Sequence, residues 1–482
     1  MRGSIWNGTQ AAVRLAEGAV LRDALFGAGD PAVWIALDEA VRHSDRSSAD
    51  GTWMPAWQRT ERGRTLTDAL RRGEPLANGP LALALCHRDG RIREQALGMV
   101  AGRPELLPLV VVRCADWAEP VRESARTRWA EAVTVESAVA LAPLALRIAV
   151  RHRGDFAVGL VDKVLRSADR EALLPLLTHA DRAVRRFVHR LAVEEGLLSP
   201  AELARTAARD EDTVVQGLCS EAALAAVAEG DADDDVLEPL LTARNPRARS
   251  AGVTALRRAG LGERAAGFLG DRAGLVRACA RYVVRQSGGD PVEWYRRRCA
   301  TGDLATLSAG VVSGLAECGD RRDAESLWRL TSHPDPVVRT RAVGGLRALD
   351  VLDVPRLRAL LDDPAPGVVR EATWALVPSA RMLDAGWLLE RLAVTRSRET
   401  RVSAFRLLNA HDGVVRLRAA AALVDDPDDK LRHWARQSVL RWRPTDKVPP
   451  GSAELGELLG RVRHLLGDHA LKQRMWEAGL RV

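Results

Sequence analysis

The sequence predicts an all-α protein, specifically a right-handed α-solenoid of about twelve helix-pair repeats with a period near 31 residues. Two observations support this prediction: a composition that suits helices, and a phrase that recurs along most of the chain. Aromatic residues make up only 4% of the 482 residues, and they comprise 13 Trp, 5 Phe and 2 Tyr. A large β-sandwich or barrel draws on β-branched and aromatic residues, so this composition favours helix.

The recurring phrase is a turn containing Asp, Pro or Gly, then an aliphatic residue, an arginine and an Ala/Leu-rich stretch. Its arginine position is occupied in order by Arg93, Arg122, Arg185, Gln216 (which has no cation), Arg249, Arg277, Arg339, Arg370, Arg401 and Arg432. Most of these positions are 28 to 33 residues apart, but two intervals, of 63 and 62 residues, are nearly double. We therefore expect cryptic copies near 153–159 and 304–311.

One unit, residues 321–349, indicates what each copy forms. A first helix is expected to end near Thr331, because the prolines at 334 and 336 cannot continue it. Asp335 is a good N-cap for a second helix, whose apolar stripe comprises Val338, Ala342, Val343 and Leu346. Neither helix can bury its stripe alone, so the units must stack on one another.

The repeat array is predicted over residues 79–443. Residues 1–78 are predicted to form an N-terminal helical cap with a polar, Ser-rich loop at 43–57. A Pro- and Gly-containing linker is expected at 444–452. The amphipathic segment 453–482 is predicted to form a C-terminal capping helix.

The D-x-x-V-R-type turn resembles that of HEAT repeats, and the period is similar to the short HEAT-like variety also found in phycobilin lyases. The resemblance covers roughly residues 80–443 and implies an armadillo- or HEAT-type fold, in which the Asp and Arg of the phrase bond between neighbouring units. The structural ladder implied in this way comprises Asp89, Arg93, Asp181, Arg185, Asp335, Arg339, Asp428 and Arg432. The spacing is longer at Asp116/Arg122 and at Asp363/Arg370, so the resemblance does not extend the ladder to these residues.

The chain is mildly basic, with 71 Lys and Arg against 64 Asp and Glu and a formal net charge of +7. Residues 396–443 contain eleven cations and six anions, so most of the excess charge lies there. The candidate partner-binding residues are the cations and tryptophans of this region: Arg401, Arg432, Trp434, Arg436, Arg441 and Trp442. In the competing interpretation, the tryptophan at 434 packs under the terminal cap and the arginines pair with neighbouring acids.

No familiar catalytic motif occurs, so the sequence predicts no catalytic residue and no cofactor, and it disfavours an enzyme. The ten histidines form no cluster and the six cysteines no C-x-x-C pair, so no metal site is predicted. Buried free thiols in a reducing compartment fit best. The N-terminus lacks the apolar core of a secretory signal, and the apolar stretches 106–112 and 138–146 are shorter than a membrane span of about 18 residues. We therefore expect a cytoplasmic protein that does not enter membranes.

The function that the sequence favours is a non-catalytic scaffold or adaptor, which binds a macromolecular partner, most readily a protein, on the concave face of the solenoid. The alternative is nucleic-acid binding through residues 396–443, where tryptophans interleave with cations. A third hypothesis follows from a resemblance to bacterial DNA glycosylases that are HEAT-like arrays with a catalytic Asp between tryptophans. Asp116, near Trp117 and Trp129, would be that residue.

Overall fold

The structure is a computed structural model, and it describes residues 2–25, 27, 29–42, 55–226, 233–300, 306–444 and 451–480, with the backbone alone over 2–7. Within these ranges every regular element is a helix, and no strand occurs. Consecutive helices pack in pairs, and pairs pack on pairs. The prediction of an all-α, HEAT-like solenoid is therefore confirmed. None of the described helices is long and apolar enough to cross a bilayer.

The chain divides into two compact units. Unit 1 comprises Met1–Val227 and Asp233–Ala248. Its α-helices are α1 (Arg2–Glu17), α2 (Leu21–Ala24), α3 (Pro31–Arg42), α4 (Glu61–Arg71), α5 (Asn78–Leu85), α6 (Gly90–Leu97), α7 (Leu107–Arg113), α8 (Glu119–Ala132), α9 (Val135–Ala149), α10 (Asp155–Arg166), α11 (Arg170–Leu177), α12 (Arg182–Glu194), α13 (Pro200–Arg209), α14 (Thr213–Ala225), α15 (Asp234–Leu241) and the start of α16 (Pro246–Arg258).

Unit 2 comprises Ala228–Ala232 and Arg249–Val482. After α16 its α-helices are α17 (Gly274–Gln286), α18 (Pro291–Ala300), α19 (Ala309–Cys318), α20 (Ala324–Leu330), α21 (Pro336–Ala348), α22 (Val354–Ala359), α23 (Pro366–Leu376), α24 (Ala385–Glu390), α25 (Arg398–Asn409), α26 (Gly413–Leu423), α27 (Asp429–Arg441), α28 (Ala453–Arg461) and α29 (Asp468–Glu477). The 3-10 segment Gly262–Phe268 serves as the first helix before α17.

Each repeat pairs a first helix with a second helix, as α20 and α21 illustrate. The first helix ends at Leu330, and the side chain of Asp335 accepts a hydrogen bond from the Val337 N–H at 2.7 Å. Pro336 occupies the first turn of α21, where its missing N–H costs nothing. The buried residues of α21 include the predicted stripe, namely Val338, Ala342, Val343 and Leu346. The cryptic copies fall on α10 and α19, although 301–305 lie outside the described residues.

Second helices of successive repeats lie side by side, and in unit 2 α19, α21, α23 and α25 pack in that order. Small residues allow the close approach. A Cβ added to Gly345 of α21 would lie 3.0 Å from the Ala316 Cβ of α19. One on Gly314 would overlap the ring of Tyr295, whose hydroxyl donates to the Leu269 carbonyl at 2.7 Å.

Both ends of the array are covered by helices. At the N-terminus the indole of Trp57 is buried and donates to the Val41 carbonyl at 3.1 Å; most of the predicted loop, 43–54, lies outside the described residues. The C-terminal segment forms two helices, α28 and α29, rather than one, because the chain is extended at Gly467. Arg474 of α29 caps α27 by donating to the Val439 carbonyl at 3.1 Å. Linker residues 445–450 are likewise outside the described part.

Candidate functional site

The ladder arginines occupy one helical position, four residues after the N-cap of a second helix. From there the guanidinium donates to the carbonyl six residues earlier, as Arg93 does to His87 at 2.7 Å and Arg339 to His333 at 2.9 Å. The same bond is made by Arg122, Arg185, Arg277 and Arg432. These carbonyls follow the end of the first helix, where no intrahelical donor remains, so the arginine fixes the turn.

For five ladder arginines the carboxylate partner comes from the next turn along the chain, whereas Arg122, Arg277 and Arg432 bind Glu123, Glu317 and Asp429 instead. Arg93 binds Asp116 through Nε and Nη2 at 2.9 and 2.7 Å, and Arg339 binds Asp363 at 2.9 Å through both atoms. Equivalent partners are Arg185 with Asp210, Arg249 with Asp271, and Arg401 with Asp426. Each aspartate lies two residues before an N-cap and accepts the N–H of that cap residue.

The aspartates implied by the resemblance do not supply these carboxylates. Asp89, Asp181 and Asp335 each cap their own helix, accepting the N–H two residues ahead at 2.9, 2.8 and 2.7 Å. Asp428 caps α27 in the same way and also binds Arg398 at 2.5 Å. An N-cap side chain points back at the first N–H groups of its own helix, whereas the aspartate two residues earlier binds the ladder arginine of the preceding unit.

The ladder has a matched gap at the end of unit 1. Gln216 keeps the bond to the carbonyl of Asp210, at 2.7 Å, although it has no charge. In the next turn, where Asn245 accepts the N–H of Ala248, the position two residues earlier is Ala243 rather than an aspartate. The cation and its carboxylate are therefore missing together, and no buried charge is left alone.

Two of the six candidate partner-binding residues lie in the core. Arg401 is 5% exposed, donates to the Leu392 carbonyl at 2.9 Å and binds Asp426. Trp442 is 2% exposed, and its indole N–H donates to the Gly413 carbonyl at 2.9 Å. These residues hold repeats together, so assigning them to a partner surface is wrong.

Arg432 and Arg436, also proposed to bind a partner, are occupied by acids and carbonyls of their own repeat. Arg432 binds the Asp429 carboxylate. Arg436 donates to the Val424 carbonyl at 3.0 Å and lies 3.5 Å from the Asp425 carboxylate. Their charge is therefore largely compensated, which leaves the other surface cations as better candidates for contact with a partner.

A row of alternating rings and cations crosses three second helices of unit 2. The guanidinium of Arg406, on α25, lies 4.2 Å from the ring centre of Trp374 on α23 and 5.7 Å from that of Trp434 on α27. Lys430 Nζ lies 4.8 Å from the centre of the Trp434 ring. Such contacts are typically stabilising by about 0.5–2 kcal/mol each.

This row continues onto α21 and along α27. Arg370 precedes Trp374 by one turn of α23, and it lines with Arg341 a groove of about 580 Å³ between the first turns of α21 and α23. Arg441 is exposed and, seven residues after Trp434, shares its face of α27. We call the set "the cation strip"; it comprises Arg341, Arg370, Trp374, Arg406, Lys430, Trp434 and Arg441.

Sequence reasoning found Trp434 and Arg441 but missed Trp374 and Arg406. The available signal was helical register: Trp374 and Arg406 both lie nine residues after the N-caps of neighbouring second helices, Ala365 and Ser397. Residues at equal distance from equivalent caps face the same way in stacked repeats.

Asp116 cannot serve as the catalytic aspartate of a glycosylase-like site. Its side chain is 1% exposed and is bound by Arg93 at 2.7 Å and by Arg113 at 2.8 Å. Trp129 is fully buried, whereas Trp117 is 68% exposed, so the two rings do not flank an open carboxylate. The third hypothesis is therefore wrong at this residue, which serves the ladder instead.

The cysteines are free thiols, and four of the six are buried. Burial raises the pKa of the Cys114, Cys219 and Cys299 thiols to about 12. Among the described residues no group of His, Cys, Asp and Glu is arranged to hold a metal ion.

No protein-family model and no curated protein matches the sequence. Among solved structures, the chain resembles Kap95p in its complex with RanGDP, at 12% identity and a TM-score of 0.39, covering 98% of this chain and 62% of that one. For Kap121p bound to RanGTP the values are 12%, 0.33, 86% and 52%. The chain thus spans about half to three fifths of the length of these proteins.

Proposed function

We propose that this protein is a non-catalytic scaffold that binds an acidic segment of a protein partner on the cation strip of unit 2. The strip lies on second helices, which form the face predicted to be concave in a HEAT-like array. The supporting observation is a set of cations, Arg341, Arg406 and Lys430, that no carboxylate of the described residues neutralises.

Arg406 is the centre of this proposal. It is half-buried between two tryptophans, and burial lowers the pKa of its guanidinium. No carboxylate of the described residues pairs with Arg406, Lys430 or Arg341, and the closest acid to Arg370, Glu371, is 3.9 Å away and also binds Arg347. A cation that is already partly desolvated and held by ring contacts loses little further freedom when it binds an anion.

The same geometry favours a protein over a nucleic acid. Bases bind to single-strand platforms by stacking on open aromatic faces. Here Arg406 lies over Trp374, and Arg406 and Lys430 lie over Trp434. The rings thus hold cations in place, and on those faces a base could stack only by displacing a cation. Carboxylates, in contrast, bind the held cations directly.

The test measures fluorescence anisotropy of labelled polyglutamate, a labelled single-stranded oligonucleotide and a labelled DNA duplex with the full chain. Arg406→Gln should weaken polyglutamate binding about tenfold, since it removes the central cation. Arg358→Gln is the matched control, because Arg358 lies 4.2 Å from the ring of Trp387 on the first helices α22 and α24. It removes the same charge and the same contact elsewhere.

If both variants lose affinity for polyglutamate equally, the binding depends on net charge alone, and the proposal is refuted. Tighter binding of either nucleic acid than of polyglutamate, lost in Arg406→Gln, would assign the strip to nucleic acid instead. Circular dichroism of each variant checks that the helices are intact.

A further inference from the structure

Unit 1 contains a cavity of about 1050 Å³ that is lined by residues of unit 1 alone and by none of the cation strip. Its walls are the segment 18–22, the starts of α3, α5 and α7, and residues of α4 and α9. Four of the lining side chains are apolar and buried, namely Leu21, Trp34, Leu107 and Leu144. Ligand-binding cavities typically measure about 300–1,000 Å³ and have mainly apolar walls. The unit 1 cavity, as we call it, therefore has the size and the lining for a small molecule.

The rim of the unit 1 cavity is fixed by close backbone contacts. Gly18 has a φ of +100°, and a Cβ at this residue would overlap Nη1 of Arg62. Arg62 donates to the Glu17 carbonyl at 3.4 Å. A Cβ on Gly79, in the first turn of α5, would lie 3.2 Å from the Ala19 carbonyl oxygen. The chain between α1 and α2 thus lies close against α4 and α5, and the guanidinium is in place at the rim before a ligand binds.

The charged residues that line the cavity are Arg22, Arg62 and Glu105. No carboxylate of the described residues pairs with either arginine, whereas Glu105 accepts a hydrogen bond from the Asn78 side chain at 3.4 Å. The lining therefore has two positive charges and one negative charge, a net charge of +1. One anionic group on a ligand balances this charge, and a carboxylate forms charge-assisted, often bidentate bonds with a guanidinium.

A hydrocarbon chain suits this cavity better than a peptide segment does. A peptide would bring backbone N–H and C=O groups that lose their water in the cavity and require partners there. Apart from the three charged residues, the polar side chains of the lining are those of Trp34, Asn78 and Ser137. A hydrocarbon chain needs no hydrogen-bond partner, and its burial is favourable in proportion to the apolar area removed from water.

We propose that the unit 1 cavity binds a free long-chain carboxylate, whose hydrocarbon chain packs on Leu21, Trp34 and Leu144 and whose carboxylate is bound by Arg62 and Arg22. This site is independent of the proposed function, because it shares no residue with the cation strip. The protein then has a small-molecule site in unit 1 in addition to its protein-binding surface in unit 2.

Isothermal titration calorimetry of the full chain with decanoate, below the micelle concentration, tests this proposal. Decanoate should bind saturably at one site. Octanoate, which is two methylenes shorter, should bind about tenfold more weakly, because less apolar surface is buried. Decyltrimethylammonium, which has the same chain length and the opposite charge, should bind more weakly than decanoate.

Two variants with matched controls locate the site. Ala140 lines the cavity and is exposed on α9, so Ala140→Trp should fill the space and abolish decanoate binding, whereas Ala183→Trp on exposed surface of α12 should not. Arg62→Gln should weaken decanoate binding about fivefold, since it removes one ion pair. Arg64→Gln removes an exposed arginine of α4 outside the lining and should leave the affinity unchanged. Circular dichroism checks that the helices of each variant are intact.

Decanoate binding that persists in a folded Ala140→Trp variant would place the ligand elsewhere and refute the proposal. If that variant does not fold, the two arginine variants decide. Equal loss in Arg62→Gln and Arg64→Gln, or equal affinity for decanoate and decyltrimethylammonium, would refute the assignment of a carboxylate to this cavity. Absence of saturable binding would refute the site altogether and leave the proposal for the cation strip untouched.

Discussion

The ladder gap at Gln216 predicts how the rest of the ladder can be altered. Arg339→Gln with Asp363→Ala would copy the natural combination of Gln216 with Ala243 into α21 and the turn before α23. In the present structure Arg339 and Asp363 are joined by two bonds of 2.9 Å, with side chains 13% and 10% exposed. A pair this buried costs much more to break than to remove as a whole.

The magnitudes follow from what each change leaves behind. Asp363→Ala strands the Arg339 guanidinium and should destabilise the protein by about 3 kcal/mol, the lower end for a broken buried pair. Arg339→Gln leaves Asp363 with the Ala365 N–H and should cost about 2 kcal/mol. In the double variant glutamine can still donate to the His333 carbonyl, as Gln216 does to Asp210, so only the bond to Ala365 is lost, at about 1 kcal/mol.

Urea unfolding followed by circular dichroism measures these changes, and hydrogen exchange in α21 and α23 measures them locally. The double variant should be more stable than either single variant, and the four proteins form a double-mutant cycle. A double variant destabilised by the sum of the single changes would contradict the view that the ladder is a matched charge pair.

Two further predictions concern packing and pH. Gly314→Ala should destabilise the protein by more than about 1 kcal/mol, in the usual range for overpacking, because the new methyl would overlap the ring of Tyr295. The control Gly217→Ala, on open surface of α14, should stabilise the protein slightly. Thermal unfolding measures both changes. Burial lowers the pKa of His87 and His189 below the ordinary value, so these groups favour folding above about pH 6.5, and this contribution declines as the pH falls. The Tm of the unaltered protein should drop between pH 7.5 and 5.5. The Tm of the His87→Asn variant, which keeps an acceptor for the Asp89 N–H, should drop less over the same range.

The sequence predicted the helix pairs and the ladder arginines because both depend on local chemistry. Proline, an N-cap aspartate and an apolar stripe determine where a helix starts and which side it buries. The carboxylate partners could not be predicted, since the cap and the ladder aspartate are two residues apart and both lie in the same turn. Arg370 illustrates the limit: the N-cap of α23 is Ala365, which puts the buried Val369 at the ladder position and turns Arg370 to the surface.

The candidate site was predicted less well, for a similar reason. Trp434 and Trp442 look equivalent in sequence, yet the first faces the strip and the second fills the core beneath Gly413. Whether a tryptophan near a helix end faces in or out depends on its rotation about the axis, which the position of the cap determines. In the sequence Arg406 looks like any other arginine, because its lack of a carboxylate partner among the described residues is visible only in three dimensions.

The matched ladder also limits how such a chain can grow or shrink. Where the ladder arginine binds an aspartate of the next turn, as Arg339 binds Asp363, the repeat requires a successor that supplies this aspartate, whereas the repeat with Gln216 accepts a successor with Ala243. Repeats are therefore not interchangeable, because the residue at the ladder position of one repeat must match the turn residue of the next. A duplication, deletion or designed chimera should be tolerated when its junction joins arginine to aspartate or glutamine to alanine. A junction that joins arginine to alanine should be destabilised, because the guanidinium loses its carboxylate.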